Sequence, residues 1–377
     1  MGSIGPDTTV SQEFTPHLYP GFPADSKPCV ELETFSFAKL ASGDRAEQAR
    51  LYGVCKTRGF FYLDFSDTYA QSLPDDAEAI GRLAEQVFKL PQEEKVKYAY
   101  GMTGTSIFGY KQAGLTKTDV KGTPDTAEFF NCSKDDILQT PSRKPTDLPS
   151  IISSSPARSL IGDYQKTCHQ VGLDILSMLA TQLNLPSDVF VNKHRITEAS
   201  GDHVRMTRGP PRKSQDLSLP EIQTPGHTDF GTITILFNWL GGLQVWSEAS
   251  RGNFNNIVDP EQGSKDESSK PEWLWVKPKP GHAIVNLGDA AVKFTGGVLC
   301  SGRHRVVPAP GEQGLWPRYS VVYFVRPENA CVLKRICGGD VPPVQEGKEE
   351  EELTAHEWIM KQAIALRDGI AKGNVDI

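Results

Sequence analysis

Residues 225–237 read PGHTDFGTITILF, and two short patterns meet in them. Thr232-Ile233-Thr234-Ile235-Leu236-Phe237 is β-branched and apolar and follows a glycine, which is how a buried strand is written. Just upstream, His227-Thr228-Asp229 sets an imidazole and a carboxylate two residues apart. In extended chain, residues i and i+2 share a face, so the two groups point the same way. Alone, an H-x-D carries little weight, because a surface His beside a turn Asp explains it equally well. Its position at the mouth of a strand gives it a context.

Outward from this stretch, the same strand pattern recurs in Ala283–Asn286 and in Ser320–Val325, each bounded by Gly or Pro. A succession of such strands after residue 200 predicts a sandwich or jelly roll. Before residue 200 the period is helical. Two helical patterns between 45 and 98 flank the strand Gly59-Phe60-Phe61-Tyr62-Leu63. The second carries Ile80, Leu83, Ala84, Val87 and Phe88, one buried face, and Pro91 breaks it. A polar stretch at 101–126 reads as loop. A long helix at 157–184 has Leu160, Ile161, Tyr164, Cys168, Val171, Ile175, Leu179 and Leu183 on its apolar side. The chain closes on a helix with a Thr354/Glu357 capping box and Ile359, Ala363, Leu366 and Ile370 along one face. Residues 248–272 are Ser-, Asn-, Lys- and acid-rich and read as a flexible insertion between strands.

Composition narrows the function. At 377 residues, 38% hydrophobic and 23% charged, the chain has the make-up of a globular protein. A formal charge of −7 offers no electrostatic case for nucleic acid. No apolar run reaches a membrane span, and Pro6 stands where a myristoylation signal needs Ser or Thr. Seven cysteines, odd in number and without a C-x-x-C pair, read as reduced thiols in the cytoplasm.

The chemistry gathers downstream of the opening stretch. His304, in Gly302-Arg303-His304-Arg305-Val306, is a third donor to set beside His227 and Asp229. Two His and one carboxylate on one face of a metal, the other positions open, suit Fe(II) in oxygenases. Fourteen residues on, Arg318-Tyr319-Ser320 sends Arg318 and Ser320 to one face, a guanidinium fork and a hydroxyl suited to a carboxylate. His282 also follows the H-x-D at a plausible distance. It stands in a turn entering a strand, and spacing alone leaves the choice between His282 and His304 open.

In this order the motifs resemble the isopenicillin-N-synthase-like group of 2-oxoglutarate and Fe(II)-dependent oxygenases, over roughly residues 28–330. PGHTDFGTITILF resembles that family's first metal segment, PGHAIVNLGD (280–289) its P-G-x-x-x-V-N-x-G-D strand, and GRHRVV with RYSVVYFVRP its distal His and cosubstrate-binding Arg and Ser. RGFFYL, FKLPQEEKVKYA, FGY (108–110) and TAEFFN (126–131) resemble its helical accessory region. The resemblance implies a mainly β fold with accessory helices, a distorted double-stranded β-helix core flanked by N- and C-terminal helices. The expected layout is an extended arm (1–27), an accessory region (28–155), a central helix and jelly-roll core (156–330), and a C-terminal extension with a helix (331–377). It implies Fe(II) held by His227, Asp229 and His304, 2-oxoglutarate held by Arg318 and Ser320, O₂ as oxidant and ascorbate as an auxiliary. The reaction implied is hydroxylation, desaturation or a related C–H oxidation of a small organic molecule in secondary metabolism.

Two departures stand out. An Asn-Tyr-Tyr-Pro run, whose second Tyr touches the cosubstrate in many members, is Thr207-Arg208-Gly209-Pro210 here, with Arg208 the candidate to fill the space. The usual Asn-His-Gly after the first strand is Asp64-Phe65-Ser66. Phe108, Tyr110, Phe130, Arg205 and Arg208 are the expected substrate-pocket residues, weighed against core aromatics and solvated arginines. Two rival readings are an iron oxidase of the same fold that uses no 2-oxoglutarate, and a non-catalytic small-molecule-binding protein.

Overall fold

The computed structural model describes residues 13–24, 27–99, 106–119, 121–140, 146–212, 222–247, 272–344, 346–347 and 350–368. In them, twelve strands form two sheets. They are β1 (Thr34–Ser36), β2 (Phe60–Asp64), β3 (Gly109–Lys111), β4 (Glu128–Ser133), β5 (His203–Gly209), β6 (Thr224–His227), β7 (Ile233–Asn238), β8 (Leu243–Trp246), β9 (Trp273–Trp275), β10 (His282–Leu287), β11 (His304–Val306) and β12 (Arg318–Val325). The larger sheet runs β1-β2-β10-β7-β12-β5-β4-β3 and the smaller β6-β11-β8-β9. Only β1 and β2 run parallel.

Strand alternation decides what each face does. Val321, Tyr323 and Val325 of β12, Ile233, Ile235 and Phe237 of β7, and Val204 and Met206 of β5 pack outward, into one core with the helices. The residues between them, Val322, Phe324, Leu236 and Ile284, pack inward against Leu243 and Val245 of β8. The two sheets therefore close on each other, and the chain is a double-stranded β-helix with a helical layer on one side. That layer is led by the helices Leu73–Lys89 and Ser155–Gln182. The first has a proline near its start and Asp75 and Asp76 in its first turn, which the helix dipole favours. Its stripe Ile80, Leu83, Ala84, Val87 and Phe88 is buried throughout. The Thr354/Glu357 capping box opens the helix Ala355–Arg367.

The structure departs from the sequence reading in three places. Residues 109–111, inside the stretch read as loop, form the edge strand β3 against β4; three residues are too few to show a period. β1 to β4 belong to the larger sheet, β1 and β2 at one edge and β4 and β3 at the other, so the accessory half builds both of its edges as well as helices. The arm is anchored, because Phe14 is buried edge-on against Trp239 and Tyr319, at 4.7 and 5.4 Å. Residues 248–271 and Ile370 lie outside the described residues. No described helix is long and apolar enough to cross a membrane. None of the seven cysteines is in a disulfide.

Candidate active site

His227 ends β6 and His304 opens β11, and the two strands pair with His304 opposite His227. The rings lie 4.3 Å apart between centroids. Asp229, two residues past His227, turns its carboxylate to both: Oδ1 is 3.6 Å from His227 Nε2 and 3.8 Å from His304 Nε2. The three donor atoms all lie within 4.8 Å of one another, and this is the one such cluster among the described residues.

Hydrogen bonds fix which atoms face inward. His227 Nδ1 lies 2.8 Å from the Pro225 carbonyl and His304 Nδ1 3.1 Å from that of Gly302. A carbonyl only accepts, so each Nδ1 carries the proton and each Nε2 presents a lone pair. Burial, and then the neighbouring His227, push His304 down to about 4, so its imidazole is neutral. On Asp229, Oδ2 accepts from Thr234 Oγ1 and Asn286 Nδ2, both at 2.7 Å, which leaves Oδ1 for the imidazoles. Burial would raise this carboxyl; the two imidazoles and Asn286 outweigh it and hold it well below the usual carboxylate range. Two neutral nitrogens and one carboxylate oxygen, at separations suited to ligands about 2.1 Å from a shared ion, fit Fe(II).

The loop carrying Asp229 is held by residues the sequence reading quoted only as a motif. Asp289 accepts from Thr228 Oγ1 at 2.9 Å and from Ser301 Oγ, and its own N–H donates to the Asp229 carbonyl at 2.7 Å. At Gly288 a Cβ would fall 2.4 Å from Gly231 O and 2.8 Å from Asp229 O. Asn286, Gly288 and Asp289 all come from PGHAIVNLGD. Phe60 packs edge-on against His304 at 5.4 Å. His282 lies at the far end of β10, opposite Asp64, and is no part of the cluster.

Arg318 and Ser320 face inward on β12, only 2% and 4% exposed. Arg318 Nε donates to the Gly241 carbonyl at 2.8 Å, and Gly242, at φ +114, gives it room. No described carboxylate pairs with this guanidinium. Burial alone pulls it down to about 10, so it stays charged at neutral pH. A buried cation without a counter-ion is costly unless an anion joins it.

The expected pocket residues divide between the two faces of the larger sheet. Arg205 is in register with Val322 and Asn131 on the inner face. Its Nε donates to Asn131 Oδ1 at 2.9 Å, and its guanidinium lies over Phe129 (4.2 Å) and Phe324 (5.0 Å). Phe108 meets His203 edge-on at 5.7 Å, and His203 lies 4.7 Å from Phe324. Tyr110, Phe130 and Arg208 point the other way, which corrects their assignment to the pocket. Phe130 is fully buried in the helix-side core. Tyr110 and Arg208 share Glu128 with Lys95, at 2.6, 3.0 and 2.9 Å, a buried charge cluster behind the sheet. Arg208 therefore cannot fill the space left by the missing hydroxyl. The amide of Gln223 stands over Gly209, a residue that no motif singled out.

Comparison with known proteins agrees with this geometry. Residues 28–154 match the family described as non-haem dioxygenase in morphine synthesis, N-terminal, and residues 188–327 match the 2OG-Fe(II) oxygenase superfamily. A 2-oxoglutarate-dependent dioxygenase of Aspergillus fumigatus is 33% identical over 350 residues, covering 90% of this chain and 87% of the relative. A proline hydroxylase of Petromyces alliaceus is 28% identical, over 74% of this chain and 81% of that protein. In fold, the chain is similar to a full-length Neurospora crassa protein solved with alpha-KG, which is 2-oxoglutarate (TM-score 0.71, 21% identity, 90% of this chain and 99% of that one). It is also similar to a 2OG-Fe(II) oxygenase family protein of Caulobacter crescentus (TM-score 0.66, 23% identity, 88% and 98%). The chain belongs to the 2-oxoglutarate/Fe(II)-dependent dioxygenases.

Proposed function

We propose that this protein couples the oxidative decarboxylation of 2-oxoglutarate to the oxidation of a small organic molecule, with Fe(II) on His227, Asp229 and His304. One atom of O₂ enters succinate as CO₂ leaves; in a hydroxylation the other enters the product. Bound Fe(II) supplies the activation of O₂. The chain's own residues hold and orient. The fixed tautomers present two neutral nitrogens and one anionic oxygen, while Arg318 and Ser320 take the far carboxylate of the cosubstrate. The observation that carries this reading is the buried guanidinium of Arg318, which no described carboxylate pairs with, on the sheet that faces the donor triad.

Arg205 faces the metal side, and its stacked guanidinium suits a substrate with an acidic or π-bearing group. The fungal dioxygenases among its relatives favour secondary metabolism. We place the protein in the cytoplasm, in keeping with its seven free thiols, and ascorbate as an auxiliary reductant. The test is O₂ uptake by the purified protein with a panel of small acids and aromatics, with and without Fe(II) and 2-oxoglutarate, alongside succinate release. Uptake that needs iron but not 2-oxoglutarate would replace this reading with an iron oxidase.

A further inference from the structure

We infer that Gln223 is a cosubstrate-binding residue, its side-chain amide donating a hydrogen bond to the carboxylate of 2-oxoglutarate that Arg318 pairs with. The inference rests on the assignment of that carboxylate to Arg318.

The neighbours of β6 show which way its residues point. Gly226 faces outward, since a Cβ there would meet Trp273 at 3.2 Å. His227 faces inward, but the β6–β11 register shifts between His304 and Val306, so the direction of Gln223 is given by its contact with Gly209 and not by the period of two. Gln223 N–H donates to Val306 O at 2.8 Å, which ties the residue to β11 beside that shift. Gln223 is 1% exposed.

On the opposing sheet, Gly209 is the residue in register with Arg318. A Cβ on Gly209 would fall 2.1, 2.2 and 2.4 Å from Gln223 Oε1, Cδ and Nε2. The amide thus fills the inward space that a side chain at 209 would take. Side chains of directly paired residues stand about 5 Å apart, so this space adjoins Arg318. An amide from the smaller sheet and a guanidinium from the larger one therefore flank one buried spot.

The hydrogen bonds leave a donor available. Gln223 Nε2 gives one N–H to the Pro210 carbonyl at 3.2 Å. Because that carbonyl only accepts, the nitrogen, not the oxygen, lies on that side, and its second N–H is unspent. Arg318 commits Nε to Gly241, which leaves its terminal amines for the ligand. A carboxylate has about four lone-pair sites, so it accepts from both residues at once.

The experiment is anaerobic titration of the Fe(II)-loaded protein, read by the charge-transfer band that a chelating 2-oxo acid gives. The ligands are 2-oxoglutarate and 2-oxopentanoate, which has the same keto acid end and chain length but a methyl in place of the far carboxylate. Gln223→Met keeps the volume and removes the donor; Gln223→Glu adds a like charge. Gly209→Ala leaves Gln223 in place but displaces its amide. Each should weaken 2-oxoglutarate about tenfold, Gln223→Glu the most, and leave 2-oxopentanoate unchanged. Gly209→Ala should add nothing further once Gln223→Met is present. Equal weakening of both ligands, or of neither, overturns the inference. Arg318→Leu is the separate control: if it leaves 2-oxoglutarate binding intact, the assignment beneath the inference has failed. If it weakens binding while the Gln223 and Gly209 variants do not, only the inference has.

Discussion

Asn286 Nδ2 donates to Asp229 Oδ2 at 2.7 Å, on the side of the carboxylate turned away from the two imidazoles. Together with Thr234 it restricts Asp229 to one inward oxygen, as a preorganised monodentate ligand requires. Asn286→Ala should leave the protein folded and weaken iron about ten- to a hundredfold. Iron titration followed by the charge-transfer band measures it, and unchanged affinity would show that Thr234 alone suffices.

His304 and His282 make a matched pair of substitutions. They stand in different sheets, and His282 lies four residues along β10 from Asn286, roughly 13 Å. His304→Ala should lose iron and turnover while staying folded, and His282→Ala should keep both. Metal content of the two purified variants decides between them.

Arg318 gives a prediction about stability as well as affinity. Its guanidinium is charged, buried and without a counter-ion among the described residues, so ligand-free protein bears that penalty at neutral pH. Arg318→Leu should raise the requirement for 2-oxoglutarate tenfold to over a hundredfold, from the roughly 1.5–3 kcal/mol of a charged hydrogen-bonded pair. In the ligand-free state the same variant should melt no lower than the parent. It should also lose the thermal shift that 2-oxoglutarate confers. A large drop in melting temperature without ligand would show the residue to be structural.

His194 sets an acid limit. It is buried, with Nδ1 2.7 Å from Phe190 O and Nε2 2.9 Å from Thr232 Oγ1, and burial pushes it down to about 4. The unfolded chain takes up a proton near pH 6.5 and the folded one does not until about pH 4. Stability from this residue is therefore intact above pH 6.5 and falls as the pH drops to 4, by up to about 3 kcal/mol. The difference between parent and His194→Gln in chemical denaturation should shrink across that window. A constant difference would refute it.

Gly288→Ala tests the loop that carries Asp229. The nearest atoms to the new Cβ are backbone carbonyls, which cannot swing aside as a side chain would. A loss of about 1–3 kcal/mol and weaker iron binding are expected together. Thermal melts and metal titration of the one variant report both, and a loss of stability with intact iron affinity would uncouple the loop from the metal.

The clustering of His227, Asp229 and His304 and the inward facing of Arg318 and Ser320 were legible in the sequence, because these residues sit in short motifs whose spacing carries their direction. H-x-D and R-x-S each name two residues of one face. The pocket was harder. Phe108, Tyr110, Phe130, Arg205 and Arg208 were grouped by residue type, but facing is a matter of parity, and a shift of one residue moves a side chain to the other side of the sheet. β5 itself escaped notice because HVRMTRG has a polar inner face, which lines the site, and only Val204 and Met206 to mark the outer one. Gln223 belongs to no motif. Only its amide, standing where a side chain on Gly209 would be, points to it in three dimensions.

The two-sided character of β5 has a consequence for how such a protein can diverge. Arg205 and Thr207 face inward, while Val204, Met206 and Arg208 are tied to the helices and the Glu128 cluster. Mutation can rewrite the inward set, together with Phe129 and Phe324, without disturbing the scaffold behind it, so selectivity and foldability are inherited on separate letters of the same seven-residue word. A library confined to 129, 205, 207 and 324 should yield folded members with altered substrate preference, and one drawn on 130, 204, 206 and 208 should mostly yield insoluble ones.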